Sequence, residues 1–186
     1  MADVFSLIGT NHIANARPTI YPDHDFDAND FLSKKFSYPK RPLLLLHFTS
    51  DEKCRSWPAA KAKALVEWIL LNTNMNVLEF GLTPLLNESD RIYLPRSHLH
   101  LAQQMALIKI GNFFVGVDSG FSHLANAFGV PSIFLIGIYR DFSTHLPWHL
   151  SDQDRVLRSD RDAYNIPLDD VERAVELRIK ELGLEK

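Results

Sequence analysis

The sequence predicts an α/β protein: a Rossmann-like, mostly parallel sheet with helices on both faces. Three observations carry this expectation. The strand-length apolar runs are continuous rather than alternating, as strands buried on both faces require. Stretches of helical period stand between them, so strand and helix alternate along the chain. The clearest unit, Phe113 to Ile136, reads as strand, turn, helix and strand, the make-up of a short parallel crossover.

Taken in order, Met1 to Arg17 holds one short apolar patch (Val4, Phe5, Leu7, Ile8) and no sustained period. Pro18 to Pro22 reads as extended, because proline biases its neighbours away from helix. Asp27 to Phe36 predicts two or three helical turns, with Asp27 as N-cap and Phe31, Leu32 and Phe36 on one side. Residues 1–41 are therefore expected to be an N-terminal extension or linker wrapped on the main domain, residues 42–186.

That domain opens with a buried strand, Leu43 to Phe48, followed at its carboxyl end by Thr49, Ser50 and Asp51. Ser56 is expected to cap a helix with Pro58 in its first turn, running to about Leu71 and burying Leu65, Trp68 and Ile69. A turn at Asn72 to Asn76 leads to a strand at Val77 to Phe80, closed by Gly81. After the loop from Leu82 to Asp90, a short strand is expected at Ile92 to Leu94. Ser97 is expected to cap a helix from His98 to Ile110, with Leu101, Met105 and Ile108 on its core stripe and Gly111 as its stop. In the next unit the helix runs from Phe121 to Phe128 and is stopped by Gly129 and Pro131. Ile138 to Asn165 reads as one long irregular stretch, of a length that is usually functional or poorly ordered. The chain closes with an amphipathic helix from Leu168 to Leu182, whose Asp169 and Asp170 suit the positive end of its dipole.

The totals narrow the function. At 186 residues one domain is expected, with room for a substantial core. A net charge of −3 gives no reason to expect nucleic acid or an acidic membrane surface as partner. Any anion must be held locally. The single cysteine, Cys54, rules out an internal disulfide and suits a reducing compartment. No apolar run is long enough to span a bilayer, and the cytoplasm is the expected location.

Asp118-Ser119-Gly120 joins the strand to the helix of the 113–136 unit, at the strand end where open α/β sheets bind ligands. Gly120 lets backbone approach a ligand, and the first amides of the helix favour a phosphate. Ser119 and Ser122 can add hydroxyl donors, and His123 lies about one turn further on. A well-capped helix with a satisfied histidine fits the same spacing, so the residues alone leave both readings open. His98-x-His100 and His145-x-x-x-His149 are weak metal patterns, the latter broken by Pro147.

The run from Val117 to Gly137 resembles the signature of the family 9 glycosyltransferases, the ADP-heptose:lipopolysaccharide heptosyltransferases. It carries Asp118-Ser119-Gly120-x-x-His123-Leu124-x-x-Ala127, then Gly129-x-Pro131, a strand and a glycine. Leu45 to Pro58 is similar to a second family stretch, in which small hydroxyl residues end a strand and a basic-x-Trp-Pro step follows. Phe80-Gly81 and Leu94-Pro95-Arg96 fit in order, so the resemblance spans roughly residues 40 to 182. It implies the C-terminal, donor-binding half of a GT-B fold. It also implies a nucleotide-diphospho-sugar as substrate, inverting transfer without a metal, and no other cofactor. Ser119, Gly120, His123, Thr49 and Ser50 are thereby assigned to the diphosphate, and Asp118 to the phosphate or sugar region. Arg55 stands where the family usually has a lysine that offsets the leaving group's charge. Arg55, Asp118 and His123 are the catalytic candidates. Gly81 and Leu94 to Ser97 are assigned to the base, with Glu88 a further candidate. The family's Gly-Pro-Thr after the last strand is replaced by Gly137-Ile138-Tyr139. The family's acceptor domain, with its acidic base, has no match here, so a missing segment or a partner chain is expected to supply it. The alternative is a non-catalytic nucleotide-binding or assembly module.

Overall fold

Parallel strands must bury both faces, and the apolar runs of this chain do so within one sheet. The computed structural model describes residues 18–95, 98–138, 146–147 and 150–186. Its strands are β1 (Leu43–His47), β2 (Asn76–Glu79), β3 (Ile92–Tyr93), β4 (Phe113–Val117), β5 (Ser132–Ile136) and β6 (Arg155–Arg158). They form a six-stranded sheet in the order β3-β2-β1-β4-β5-β6, with every pairing parallel. The helices are α1 (Ala28–Ser33), α2 (Ala59–Asn72), α3 (Leu101–Lys109), α4 (Gly120–Ala127) and α5 (Leu168–Glu181).

Side chains alternate between two cores with the period of two that strands impose. Leu44, Leu46, Val115 and Leu135 face the core formed with α2 and α5. Leu43, Leu45, Phe114 and Phe134 face the core formed with α1, α3 and α4. Leu44, Leu45 and Leu46 are all fully buried, each contributing about 1.5–3 kcal/mol of transfer free energy. This is the expected α/β architecture, with helices on both faces.

Residues 18–41 join the second core through Ala28, Leu32 and Phe36 on or beside α1. The Asp27 carboxylate caps that helix by accepting from the Asp30 amide at 2.9 Å.

Several local expectations are corrected. Helix α2 begins at Ala59 with Pro58 in the N-cap position and no side-chain cap, so Ser56 does not cap it. The Ser56 hydroxyl instead accepts from the Ser50 amide at 2.9 Å and closes the loop after β1. Helix α3 begins at Leu101, not His98, and its capping box is built from His100 and Gln103. Ser97, Arg96, His145 and His149 lie outside the described residues, as does the apolar patch before Pro18. The long stretch from Ile138 to Asn165 contains the sixth strand, paired to β5 from Ile133↔Arg155 to Ile136↔Arg158. Its arginines and partial exposure mark a sheet edge, where a continuous apolar run is not required.

The stop after α4 has the expected form. Gly129 takes φ 73°, its amide donates to Asn126 O, and the Val130 amide donates to Ala125 O at 3.0 Å. That is a Schellman motif. Beyond β5 the backbone of residues 161–163 comes close to Gly137, where a Cβ would collide with the backbone of Asp162 and Ala163. Gly137→Ala is therefore expected to lower stability by about 1–3 kcal/mol through forced backbone movement. Denaturant midpoints of the two proteins check this, and an unchanged midpoint would refute it.

Candidate functional site at the strand-order reversal

Chain order reverses between β1 and β4: from β1 the sheet grows one way to β2 and β3, and from β4 the other way to β5 and β6. Crossovers leave in opposite directions at such a point, so the carboxyl ends of the two central strands open onto an uncovered crevice. His47 pairs with Gly116 at those ends. A cleft of about 530 Å³ lies there.

The two loop walls are held in place by contacts outside the cleft lining. The loop after β1 is pinned by Trp57, which is 2% exposed. Its amide donates to Phe48 O at 2.9 Å and its indole Nε1 to Ile166 O at 3.1 Å. Lys61 Nζ donates to Tyr164 O and Ile166 O, both at 2.9 Å. The hydroxyl residues Thr49 and Ser50 and the guanidinium of Arg55 are thereby presented to the cleft.

The loop after β2 is pinned by Glu79. This carboxylate is 2% exposed and accepts from the Leu85 and Leu86 amides at 2.8 and 2.9 Å. Burial raises its pKa, while the two amides and the charge of Lys63 oppose that rise. The loop so held carries Gly81, Leu82 and Thr83 along the cleft. Gly81 has φ 122°, which side-chain-bearing residues rarely adopt.

The third wall is the start of α4. Ser119 is the N-cap and shares a reciprocal capping box with Ser122. The Ser122 hydroxyl is fully buried and donates to Ser119 O at 2.7 Å, so it serves the cap and does not reach the cleft. The Gly120 and Phe121 amides have no helical carbonyl behind them. Beyond its own helical turn and chain neighbours, a Cβ on Gly120 would meet no atom of the described residues within 4 Å. The fold therefore leaves room at Gly120 that it does not use itself.

Asp118 joins the first and third walls. Its carboxylate lies 3.3 Å from Arg55 Nη1 and 3.8 Å from His123 Nε2. Asp118 is nearly buried, whereas the His123 side chain is 50% exposed. Among the sequence candidates, Thr49, Ser50, Arg55, Gly81, Asp118, Ser119 and Gly120 all line the one cleft. His123 stands beside it through Asp118. Glu88 is exposed and does not line it. Among the described residues, no cluster of three His, Cys, Asp or Glu is placed to hold a metal ion, and no helix is long and apolar enough to cross a membrane.

The cleft also contains residues that pattern alone did not single out. Leu101 was expected in the core, but it is 59% exposed and forms an apolar cleft wall with Leu82, Phe121 and Leu124. Phe121 stacks on Phe80 at 5.2 Å between ring centroids. His47 is the other addition. It is 7% exposed, sits in what reads as a core strand, and lines the cleft from β1.

The sequence pattern of glycosyltransferase family 9 (heptosyltransferase) matches residues 17–166. The chain belongs to glycosyltransferase family 9. No curated protein sequence matches it. Its fold is shared with the family 9 glycosyltransferase from Veillonella parvula DSM 2008, at TM-score 0.76 and 16% identity, over 96% of this chain and 58% of that one. E. coli ADP-heptose lps heptosyltransferase II gives 0.61 and 20%, over 89% and 56%. E. coli heptosyltransferase WaaC with ADP gives 0.63 and 15%, over 88% and 52%. The chain thus spans a little over half the length of these family 9 structures.

Burial lowers the His47 pKa to about 4, so the folded imidazole is neutral at neutral pH. An unfolded histidine titrates near ~6.5. Stability contributed above that value is therefore lost as pH falls towards 4, by about 3 kcal/mol at most. Glu79, whose pKa is raised, gains relative stability in the same direction and partly offsets the loss. Urea unfolding at pH 7 and pH 4.5 should show a smaller acid loss in His47→Gln than in the wild type. Equal losses would contradict a depressed His47 pKa.

Proposed function

We propose that the cleft binds the diphosphate of a nucleotide-sugar donor of the ADP-heptose class, and that the chain is the donor-binding half of a family 9 glycosyltransferase. One observation carries this reading: two adjacent strand ends bring two sets of anion-seeking groups to one cleft. Thr49, Ser50 and Arg55 come from the first, and Ser119 with the open start of α4 from the second. Two such sets suit a diphosphate better than a single phosphate. The space at Gly120 is where an oxygen of that group would approach the backbone. The apolar wall of Leu82, Leu101 and Phe121 suits the base. Structural neighbours were solved with ADP and with ADP-2-deoxy-2-fluoro heptose, which makes ADP the first ligand to test.

In the transfer, an acceptor hydroxyl oxygen attacks the anomeric carbon from the face opposite the diphosphate. The bond from that carbon to the diphosphate oxygen breaks, and its electron pair leaves with the nucleoside diphosphate. The configuration inverts. Arg55 and the α4 N-terminus stabilise the negative charge that grows on the leaving oxygen, with no metal required. Asp118 orients Arg55 and accepts from sugar hydroxyls; His123 donates to the outer phosphate. The acceptor's proton passes to a base in an acceptor-binding domain, carried by a longer chain or a partner chain. A lipopolysaccharide precursor is the acceptor class in this reading, and the cytoplasm its compartment.

Calorimetry with ADP tests the assignment. The wild type should bind, and Arg55→Ala should weaken binding by about tenfold or more, since a charge-assisted contact contributes about 1.5–3 kcal/mol. That loss should shrink at high salt. Gly120→Ala should keep the wild-type melting temperature yet bind more weakly, because its methyl meets ligand and not protein. No binding of ADP, UDP or GDP by the wild type would sink the proposal. Binding without transfer is the expected behaviour of this chain assayed alone.

A further inference from the structure

His47 is a buried side chain with an unanswered polar atom. Its Nδ1 is fully buried and has no hydrogen-bond partner among the described residues. A neutral imidazole carries one N–H, and burying that donor unpaired at Nδ1 would cost more than burying a lone pair there. The tautomer with the proton on Nε2 is therefore favoured. The Nε2 edge faces the Gly81 side of the cleft: a Cβ on Gly81 would stand 3.2 Å from Nε2 and 3.2 Å from Cδ2. Gly81, with its positive φ, puts no side chain over that edge, and His47 lines the cleft. The ring is fixed by Phe121, at 4.8 Å between centroids and 48° between planes. A rigid, uncharged donor thus stands on the cleft wall, with Thr49 on the other side of the Gly81 Cβ position and Phe121 of the apolar wall against its ring.

We infer that His47 is a specificity-determining residue whose Nε2–H donates to a hydroxyl of the donor's pentose. This rests on the nucleotide-sugar reading and adds to it. In a nucleotide the pentose is the part that links diphosphate to base, and His47 stands by Thr49, assigned to the one end, and against Phe121, of the wall suited to the other. Its chemistry fits a hydroxyl better than a phosphate. The anionic end already has Arg55 and a helix N-terminus, whereas His47 remains uncharged because burial holds its pKa near 4. A donor fixed in a desolvated wall also penalises a ligand that lacks the matching oxygen, since it would then stay unpaired.

The test compares ADP, 2′-deoxy-ADP and 3′-deoxy-ADP by calorimetry on the wild type, His47→Phe and His47→Gln. The wild type should bind ADP about tenfold or more tighter than one deoxy analogue. His47→Phe should bind ADP no better than that analogue, while His47→Gln, whose amide can donate from a similar position, should recover part of the preference. A purely structural role would lower the affinity for all three ligands alike. In the wild type, the His47 Nε2 resonance should move on adding ADP and not on adding the weaker analogue, a readout that holds even if His47→Phe fails to fold. Equal binding of the three ligands by the wild type, a preference kept by His47→Phe, or an Nε2 resonance indifferent to the hydroxyl would each overturn the inference while leaving nucleotide binding intact. Failure of the wild type to bind any of the three would overturn both together.

Discussion

Parallel pairing of β1 with β4, while their neighbours lie on opposite sides, is the constraint from which the site follows. Because both strands point the same way, Thr49 and Asp118 emerge at one edge of the sheet, although they are far apart in sequence. Because the crossovers run outward on either side, nothing in the sheet's own connectivity closes the space between them. The depth of the cleft is set by the cores beneath it. Leu44, Leu45 and Leu46 are sealed on both faces, so the strand ends cannot sink or tilt without exposing them. The polar groups of the site stand on a floor that packing makes stiff.

Electrostatics within that space converge on Asp118. Its carboxylate lies beside both Arg55 and His123, so a guanidinium and an imidazole from two different parts of the chain are gathered at one point. It also ties the Arg55 guanidinium, from the loop after β1, to the end of β4.

What the residues disclosed in advance follows the same physics. Five strands were legible because parallel pairing in a covered sheet demands unbroken apolar runs, and Asp118-Ser119-Gly120 was legible because helix starts have few chemical solutions. Strand β6 was not, since an edge strand with one open side tolerates Arg155 and Arg158. Ser56 illustrates a different ambiguity. A hydroxyl before a proline can cap a helix or close a loop, and only the position of Phe48 relative to Trp57 decides between them. Leu101 looked like core because helical period reports which residues share a stripe, not how far that stripe extends under neighbouring helices. His47 was hidden by its company: in an apolar run it reads as packing, and its relation to Gly81 exists only once β1 and β2 are side by side. Glu79 likewise finds its two amides through the path of a loop, which periodicity does not encode.

Trp57 has a consequence for how the protein loosens. Its indole and the nearby Lys61 attach the hydroxyl-bearing loop to the carbonyls of Tyr164 and Ile166, just ahead of the last helix. The cleft-facing groups are thus moored to residues more than a hundred positions further along the chain. If α5 peels away, Trp57 loses its carbonyl, the loop is set adrift, and whatever it grips is released in the same movement. Occupancy of the cleft should therefore be felt at the C-terminus as protection from unfolding, so that the tail of the chain reports on its head.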